Sequence, residues 1–422
     1  MSDQFVIVGG GLAGAQAAQT LRDEGCADPI VIIGAEAERP YERPGLSKGF
    51  LTGAEPREKL FVHPPGWYAE HEVNLRSGVT ATAIDPARHV VHLADGEPVP
   101  YTKLLLATGA TPRRLPLPGA DLDGVLSLRT LADAERLAAR LVRDAHVVVI
   151  GGGWIGLEVA AAARRAGADV TVLEATQLPL QRVLGQDVAR VFAELHRANG
   201  VRLMTGVSVS RLHGTGAVES VELGDGTRLP ADLVVVGVGV SPNVDLAEAA
   251  GLDVHDGVLT DESLRTVAPD IFAAGDIANA YHPMLGRSLR TEHWANARYG
   301  GRAAGKAMLG LDVVYDRVPY FYTDQYDLGM EYRGHADPGE RVVFRGSTDP
   351  VDGKTPTFSA FWTRDGRVLA GMNVNNWDDG KEIERLVRAG HGGHPVDLDR
   401  LVDTEVPLSV VADGVAPTVS AS

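Results

Sequence analysis

Apolar residues along the chain come in short runs that end in glycine and open into alanine-rich stretches with helical spacing. The first is FVIVGGGLAGAQAAQTLRDEG from Phe5, followed by PIVIIGAE. Short apolar runs bounded by turn residues predict strands buried on both faces, and the change of period after the glycines predicts a helix. A further run, KLLLATGATPR, closes this segment near residue 112. The pattern is then written a second time, as HVVVIGGGWIGLEVAAAARRAGADVTVLEA from His146 and later DLVVVGVGVSPN. After Asn243, SLRTVAPDIFAAGDIA predicts a short strand with Asp276 at its end, then a helix near Trp294–Gly310. That piece is short for a domain and is expected to return to the first segment. From about Pro319 the pattern becomes strand-like: FSAFW and RVLAG, joined by TRDG, predict a hairpin, and KEIERLVRAG a helix. The last residues, ADGVAPTVSAS and their flank, are expected to fray.

The expected class is α/β, with two Rossmann-like dinucleotide-binding domains and a C-terminal α+β domain. Residues 1–112 with 244–318 are expected to form one dinucleotide domain, 113–243 the second, and 319–422 the C-terminal one. A chain of 422 residues is too long for one compact core and suggests two or three domains. With 44% hydrophobic and 23% charged residues its composition is that of a soluble globular protein. No run approaches the length of a membrane span. MSDQFVIVGG reaches its first strand without a basic, cleavable leader, so the expected location is cytoplasmic. The formal charge of −16 argues against nucleic acid as the main partner, because phosphate binding needs a basic surface. The single cysteine, Cys26, falls in a predicted loop and forms no internal disulfide, and no Cys/His cluster has metal spacing.

The repeated glycine turn carries the chemistry. Its first glycine lets the strand turn sharply, its second lets backbone approach a pyrophosphate, and its third permits close packing of helix on strand. The helix N-terminus adds N–H groups and positive dipole. These positions are Gly9, Gly11 and Gly14 in the first turn, and Gly151, Gly153 and Gly156, with Ile155 among them, in the second. The acidic ribose partner should follow at the end of the next strand, roughly 20 residues on. VTVLEA supplies Glu174, whose carboxylate accepts from ribose hydroxyls and repels a 2′-phosphate, favouring NADH over NADPH. The first turn departs from the pattern: Ala35 stands where an acid is expected, and Glu36 comes one position later. Two such turns in one chain predict two redox dinucleotides.

At this point the chain resembles the NADH-dependent, FAD-containing ferredoxin reductases of bacterial oxygenase systems, the putidaredoxin reductase and rubredoxin reductase type. The resemblance runs in order through GGGLAG, RPGLSK, LLLATGATPR, LRT, GGGWIGLEVA, GVGVSPN, IFAAGDIA and FYTDQYDLG, nearly the whole chain. It implies FAD in the N-terminal unit, NADH in the inserted one, and a C-terminal domain covering the flavin. It implies FAD contacts at Gly9, Gly11, Ala13, Gly14, Ala35 or Glu36, Arg43, Lys48, Ala81, Arg129, Asp276 and Trp294. On the residues alone, Lys48 is a solvated loop lysine, Arg43 and Arg129 are surface ion pairs, and Asp276 is a turn residue. The resemblance places Lys48 beside the isoalloxazine; hydride transfer strictly requires no side-chain acid, base or nucleophile, so Lys48 and Glu158 are expected as catalytic residues only in an assisting role. Glu158, expected in the first helical turn, either meets the nicotinamide side, pairs with Lys48, or complements the helix terminus. Gly237 and Gly239 are expected to line the nicotinamide or form a buried turn.

The family usually has Trp where this chain has Tyr322, and Gln where it has Gly300. Disulfide reductases of similar build pass electrons to active-site cysteines, which RPGLSK lacks, so electrons are expected to leave to a docked carrier. That carrier is expected to be an acidic iron–sulfur ferredoxin, met by candidate basic groups Arg298, Arg302, Arg367 and Lys381. An NADH oxidase or quinone reductase, and a flavoprotein acting through redox-dependent interaction, stay open beside this reading, as do a monomer and a homodimer.

Overall fold

The computed structural model describes residues 3–349 and 355–415. The chain divides into two compact units. The first takes the chain up to Arg43, then Arg57–Thr111 and Ser241–Pro319; the second takes Pro44–Pro56, Pro112–Val240 and the chain from Tyr320 on.

In the first unit a parallel sheet runs in the order Ile271–Ala273, Lys103–Leu106, Phe5–Val8, Ile30–Gly34, Val73–Ser77. Alternation along the strands divides the apolar runs between two cores. Phe5, Ile7, Ile32 and Leu105 join Leu21, Phe272 and Met308, while Val6, Val8, Ile33, Leu104 and Leu106 join Ile84 and Val91. A strand covered on both faces has no polar side, which is why its sequence is an unbroken apolar run. The helices Leu12–Asp23 and Trp294–Met308 touch through backbone. A Cβ on Gly301 would stand 2.3 Å from the Ala13 carbonyl oxygen, and one on Gly305 2.9 Å from that of Ala17. The segment after Asn243 thus re-enters the first unit as an edge strand and this helix. The strand itself stops at Ala273, and Asp276 sits in a 3₁₀ turn, Gly275–Ile277, rather than at the strand's end. Gly275, at φ 79°, takes the chain out of the sheet there.

The second unit opens with another parallel sheet, ordered Arg202–Thr205, Asp169–Glu174, His146–Ile150, Leu233–Val236, Val125–Leu126. From Tyr320 the chain forms an antiparallel sheet in the order Tyr320–Gln325, Leu328–Gly334, Arg367–Val374, Phe358–Arg364, Arg341–Gly346. Its hairpin turns at Asp365 and Gly366, with φ of 52° and 73°, as a two-residue type I′ turn requires. The helix Gly380–His391 covers this sheet with Ile383, Leu386 and Val387. Trp362 is fully buried, and its Nε1 donates to the Leu184 carbonyl at 3.2 Å, which ties the sheet to the helix Gln181–Ala198. Of the tail expected to fray, Leu408–Asp413 is helical, and residues 416–422 lie outside the described residues. Among the described residues no helix is long and apolar enough to cross a membrane.

Candidate functional site

The two glycine turns superpose in chemistry residue by residue. Gly9 has φ 133° and Gly151 φ 107°, and a Cβ would lie 2.0 Å from the Ala107 carbonyl oxygen in the first turn and 2.3 Å from that of Gly237 in the second. A Cβ on Gly14 would lie 2.2 Å from the Gly9 carbonyl oxygen, and one on Gly156 2.1 Å from that of Gly151. The middle glycines differ in kind. A Cβ on Gly11 meets nothing within 4 Å, and one on Gly153 only the Gly237 carbonyl oxygen at 3.9 Å. Each is the N-cap of its helix, and neither helix has a side-chain cap. The outer glycines are therefore required by the protein's own backbone, whereas the middle ones leave open space at an uncapped helix N-terminus. That is a cradle for a pyrophosphate, and the residues fit a dinucleotide in each unit. Ile155, the second residue of its helix, is exposed beside the second cradle.

The acids following the turns act differently. Glu174 ends the strand Asp169–Glu174. Its Oε2 accepts from the Gly152 N–H at 2.7 Å, and its Oε1 from the Thr176 N–H at 2.7 Å and hydroxyl at 2.8 Å. The carboxylate thereby clamps the turn. Glu36 instead accepts from Arg43 Nη2 at 2.8 Å and from the Tyr41 hydroxyl. Burial works against the Arg43 charge, but Tyr41, Glu36 and Asp276 outweigh it and hold the guanidinium above its ordinary value. The structure thus brings Glu36, Arg43 and Asp276 into one electrostatic group in the first unit, whereas Ala35 is exposed and makes no such contact. Ala81 starts a strand opposite Leu93. Gly237 packs its carbonyl against Gly151, and Gly239, at φ 95°, has open space around its Cβ direction.

Arg129 precedes the helix Leu131–Ala138, whose start is closed by a reciprocal pair between Thr130 and Asp133. Asp133 also accepts from the Arg129 N–H at 3.2 Å, so the arginine's backbone is fixed by the cap.

Glu158 is placed differently from expectation. The helix begins at Trp154, so Glu158 belongs to its second turn, beyond the orphan N–H groups a first-turn acid would complement. It is 4% exposed and paired: Lys48 Nζ donates to Oε1 at 2.5 Å, Thr323 Oγ1 donates to the same oxygen at 2.5 Å, and the Ser47 hydroxyl donates to Oε2. Of the readings open for Glu158, the ion pair is the one this geometry makes. Lys48 also stands 5.4 Å from the Tyr322 ring centroid.

Behind Thr323 the polar chain continues inward. Gln325 Nε2 donates to Thr323 Oγ1 at 3.2 Å, and Gln325 Oε1 lies 2.8 Å from His196 Nε2. Burial pushes His196 down to about 4 against the pull of its Gln325 hydrogen bond, so the ring is neutral. Trp154 wedges between Phe192 and Phe321, ring centroids 5.5 and 4.6 Å away, holding the helices and strand that carry this chain in register. Ser47 lies inside RPGLSK, and Thr323 and Gln325 inside FYTDQYDLG, which was the available signal; His196 lies outside every motif.

In the first unit, Trp294 is the first residue of its helix and Arg298 lies 5.0 Å from its ring. Arg302 donates to Gln16 Oε1 at 2.7 Å and lies 5.8 Å from the Tyr299 ring centroid, which Arg317 approaches to 3.7 Å. Tyr299 and Arg317 extend the basic group beyond the residues the sequence singled out. In the second unit Arg367 pairs with Asp365 at 3.4 Å, and Lys381 is exposed. Gly300 has only ordinary contacts around its Cβ direction, at 3.9 Å from Asn296, Gly275 and Tyr315.

Residues 3–301 match the pyridine nucleotide-disulphide oxidoreductase family and residues 320–412 the reductase C-terminal family. The chain is 41% identical over 403 residues to the ferredoxin–NAD(+) reductase component of the anthranilate 1,2-dioxygenase system of Burkholderia cepacia, covering 94% of this chain and 97% of that one. It is 37% identical over 421 residues to putidaredoxin reductase of Pseudomonas putida, with 97% of each covered. Among solved structures, the covalent putidaredoxin reductase–putidaredoxin complex matches with a TM-score of 0.92 and 37% identity over 98% of this chain and 99% of that one. With two glycine cradles, a lysine paired with a buried glutamate and these matches over nearly its whole length, the chain belongs to the FAD-dependent ferredoxin–NAD(+) reductases of the pyridine nucleotide-disulphide oxidoreductase family.

Proposed function

We propose that the protein oxidises NADH and passes the electrons through FAD, one at a time, to an iron–sulfur ferredoxin that serves an oxygenase. The observation that carries this is the pair of glycine cradles of equal geometry in one chain whose single cysteine, Cys26, lies in the loop between Asp23 and Ile30. Bound FAD supplies the chemistry that joins a two-electron hydride donor to a one-electron acceptor. The protein's own residues bind and orient. Gly9, Gly11, Ala13 and Gly14 seat the FAD pyrophosphate, with Arg43, Ala81, Arg129, Asp276 and Trp294 as further contacts. Gly151, Gly153, Ile155, Gly156, Gly237 and Gly239 seat NADH. Lys48, held by Glu158, presents a fixed positive charge to the flavin. Anaerobic turnover should be strongly accelerated when ferredoxin and cytochrome c are added to enzyme and NADH. Rapid NADH loss to oxygen alone, indifferent to ferredoxin, identifies an oxidase instead.

Glu174 sets the coenzyme preference. Its carboxylate meets the ribose hydroxyls and repels a 2′-phosphate. Glu174→Ala combined with Ala175→Arg should lower the NADH-to-NADPH ratio of kcat/KM at least about tenfold. Because the carboxylate also clamps Gly152, activity with both coenzymes should fall, and the ratio is the diagnostic. Unchanged Michaelis constants for both coenzymes would contradict the assignment.

The acidic ferredoxin is expected on the arginine and aromatic residues of the helix Trp294–Met308, with Arg298 and Arg302 joined by Arg317, and with Arg367 and Lys381 as candidates in the second unit. Arg298→Glu should raise the KM for ferredoxin about tenfold and flatten its dependence on ionic strength. A salt dependence identical to that of the unmodified protein removes Arg298 from the docking surface.

A further inference from the structure

The hydrogen bonds behind Glu158 all run one way. An ionised carboxylate only accepts, so the Thr323 hydroxyl spends its single proton on Glu158 Oε1. The Thr323 oxygen then has to accept, and it does so from the Gln325 amide nitrogen. That fixes the Gln325 oxygen toward His196, 2.8 Å from Nε2, and requires the proton on that ring nitrogen. A neutral imidazole carries one N–H, so Nδ1 is left as the acceptor, facing the Tyr326 hydroxyl at 3.5 Å. His196 and Gln325 are fully buried, and Thr323 is 1% exposed, so the links are shielded from bulk solvent.

We infer that His196, Gln325 and Thr323 are positioning residues for the Lys48–Glu158 pair, with His196 acting as the lock on the Gln325 amide. The inference rests on the reading of that pair as the group that assists hydride transfer. An amide has two orientations of nearly equal shape, and only one presents a donor to Thr323. In the other, the Gln325 oxygen competes with Glu158 for the Thr323 proton, and the carboxylate loses one of the two hydrogen bonds on the oxygen that holds Lys48. His196 selects between them, because its Nε2–H is matched by the amide oxygen and opposed by the amide NH₂. Burial keeps the ring neutral, and the Tyr326 hydroxyl facing Nδ1 at 3.5 Å favours the tautomer with its proton on Nε2. Donors aligned toward one charge strengthen one another, so the far end of the chain contributes to the orientation of the near end. The chain also connects distinct elements: His196 stands on the helix Gln181–Ala198, Thr323 and Gln325 on the strand Tyr320–Gln325, and Glu158 on the helix Trp154–Arg165.

The test uses the holoenzyme with Thr323→Val, Thr323→Ser, Gln325→Met and His196→Phe, beside Lys48→Met and Glu158→Gln. Flavin bleaching by NADH is followed anaerobically, together with nitrogen NMR of histidine-labelled protein in which the His196 signal is identified by its loss in His196→Phe. Thr323→Val should slow hydride transfer about tenfold with the NADH KM unchanged. Thr323→Ser should return it to within about twofold, because it restores the donor and removes only a methyl. Gln325→Met and His196→Phe should fall between these. The His196 ring should report the Nε2–H tautomer, and in Gln325→Met that signature should be lost. If Lys48→Met and Glu158→Gln leave hydride transfer unchanged, the reading of the pair fails and this inference with it. If those two slow the reaction while Thr323→Val does not, or if Thr323→Ser is as slow as Thr323→Val, the positioning role alone is overturned. An Nδ1–H tautomer in the unmodified protein overturns the lock.

Discussion

Gly156→Ala is expected to lower kcat/KM for NADH by about 100-fold while FAD stays bound. The added Cβ would sit 2.1 Å from the Gly151 carbonyl oxygen and 3.3 Å from Val149 Cγ1. The first contact is with backbone, so no rotamer change relieves it; the helix must lift from the strand or the turn must open. Displacing a binding group by about 1 Å costs on the order of 100-fold in rate. Gly153→Ala makes the useful contrast. Its methyl enters open space, so the fold should be indifferent and the loss should appear only when NADH binds. Thermal melting, the visible flavin spectrum and rapid-mixing titrations with NADH separate the two effects. Ordinary NADH kinetics in Gly156→Ala would mean that the second turn does not seat the nucleotide.

Lys48→Met is expected to destabilise the second unit by about 3–5 kcal/mol, the usual cost of stranding one member of a buried ion pair. Glu158 would keep the Ser47 and Thr323 hydroxyls but lose the lysine that pairs with its Oε1. The double variant Lys48→Met/Glu158→Leu should recover most of that loss, because neither charge then needs a partner. Denaturant unfolding followed by tryptophan fluorescence measures the stability, with Trp154 and Trp362 both in this unit. Hydride transfer should separate from stability here: the double variant should be stable and slow. A double variant as unstable as the single one would show that the pair's contribution is packing rather than charge.

Much of this was legible in the order of residues. The strand Phe5–Val8 and the stretch 147–150 are unbroken apolar runs because both faces of their sheets are covered. The glycines that follow are dictated locally, since a few residues of backbone collide if any side chain is present at Gly14 or Gly156. The Asp365–Gly366 hairpin is equally local. Glu158 was less readable. Its residue type and helix were evident, but its turn depended on where the helix starts, and the extended backbone of the N-cap Gly153 (φ −80°, ψ −179°) places that start at Trp154. Asp276 moved for a similar reason, because Gly275 ends the strand's geometry before the carboxylate is reached. Arg302, a candidate docking group in the sequence, donates to Gln16 on the neighbouring helix, a contact nothing local announced.

By itself, then, the sequence determined the α/β class, both glycine turns and their helices, the acid Glu174 at its strand end, and the absence of a cysteine pair, all of them properties of contiguous segments. Only tertiary structure decided which hydroxyls and amides stand behind Glu158. Ser47 and Thr323 are 111 and 165 residues from Glu158, and Gln325 is 129 residues from His196. Burial is the physical cause of the difference: a carboxylate taken out of water must have every lone pair answered, and the fold answers them with whatever side chains it brings near.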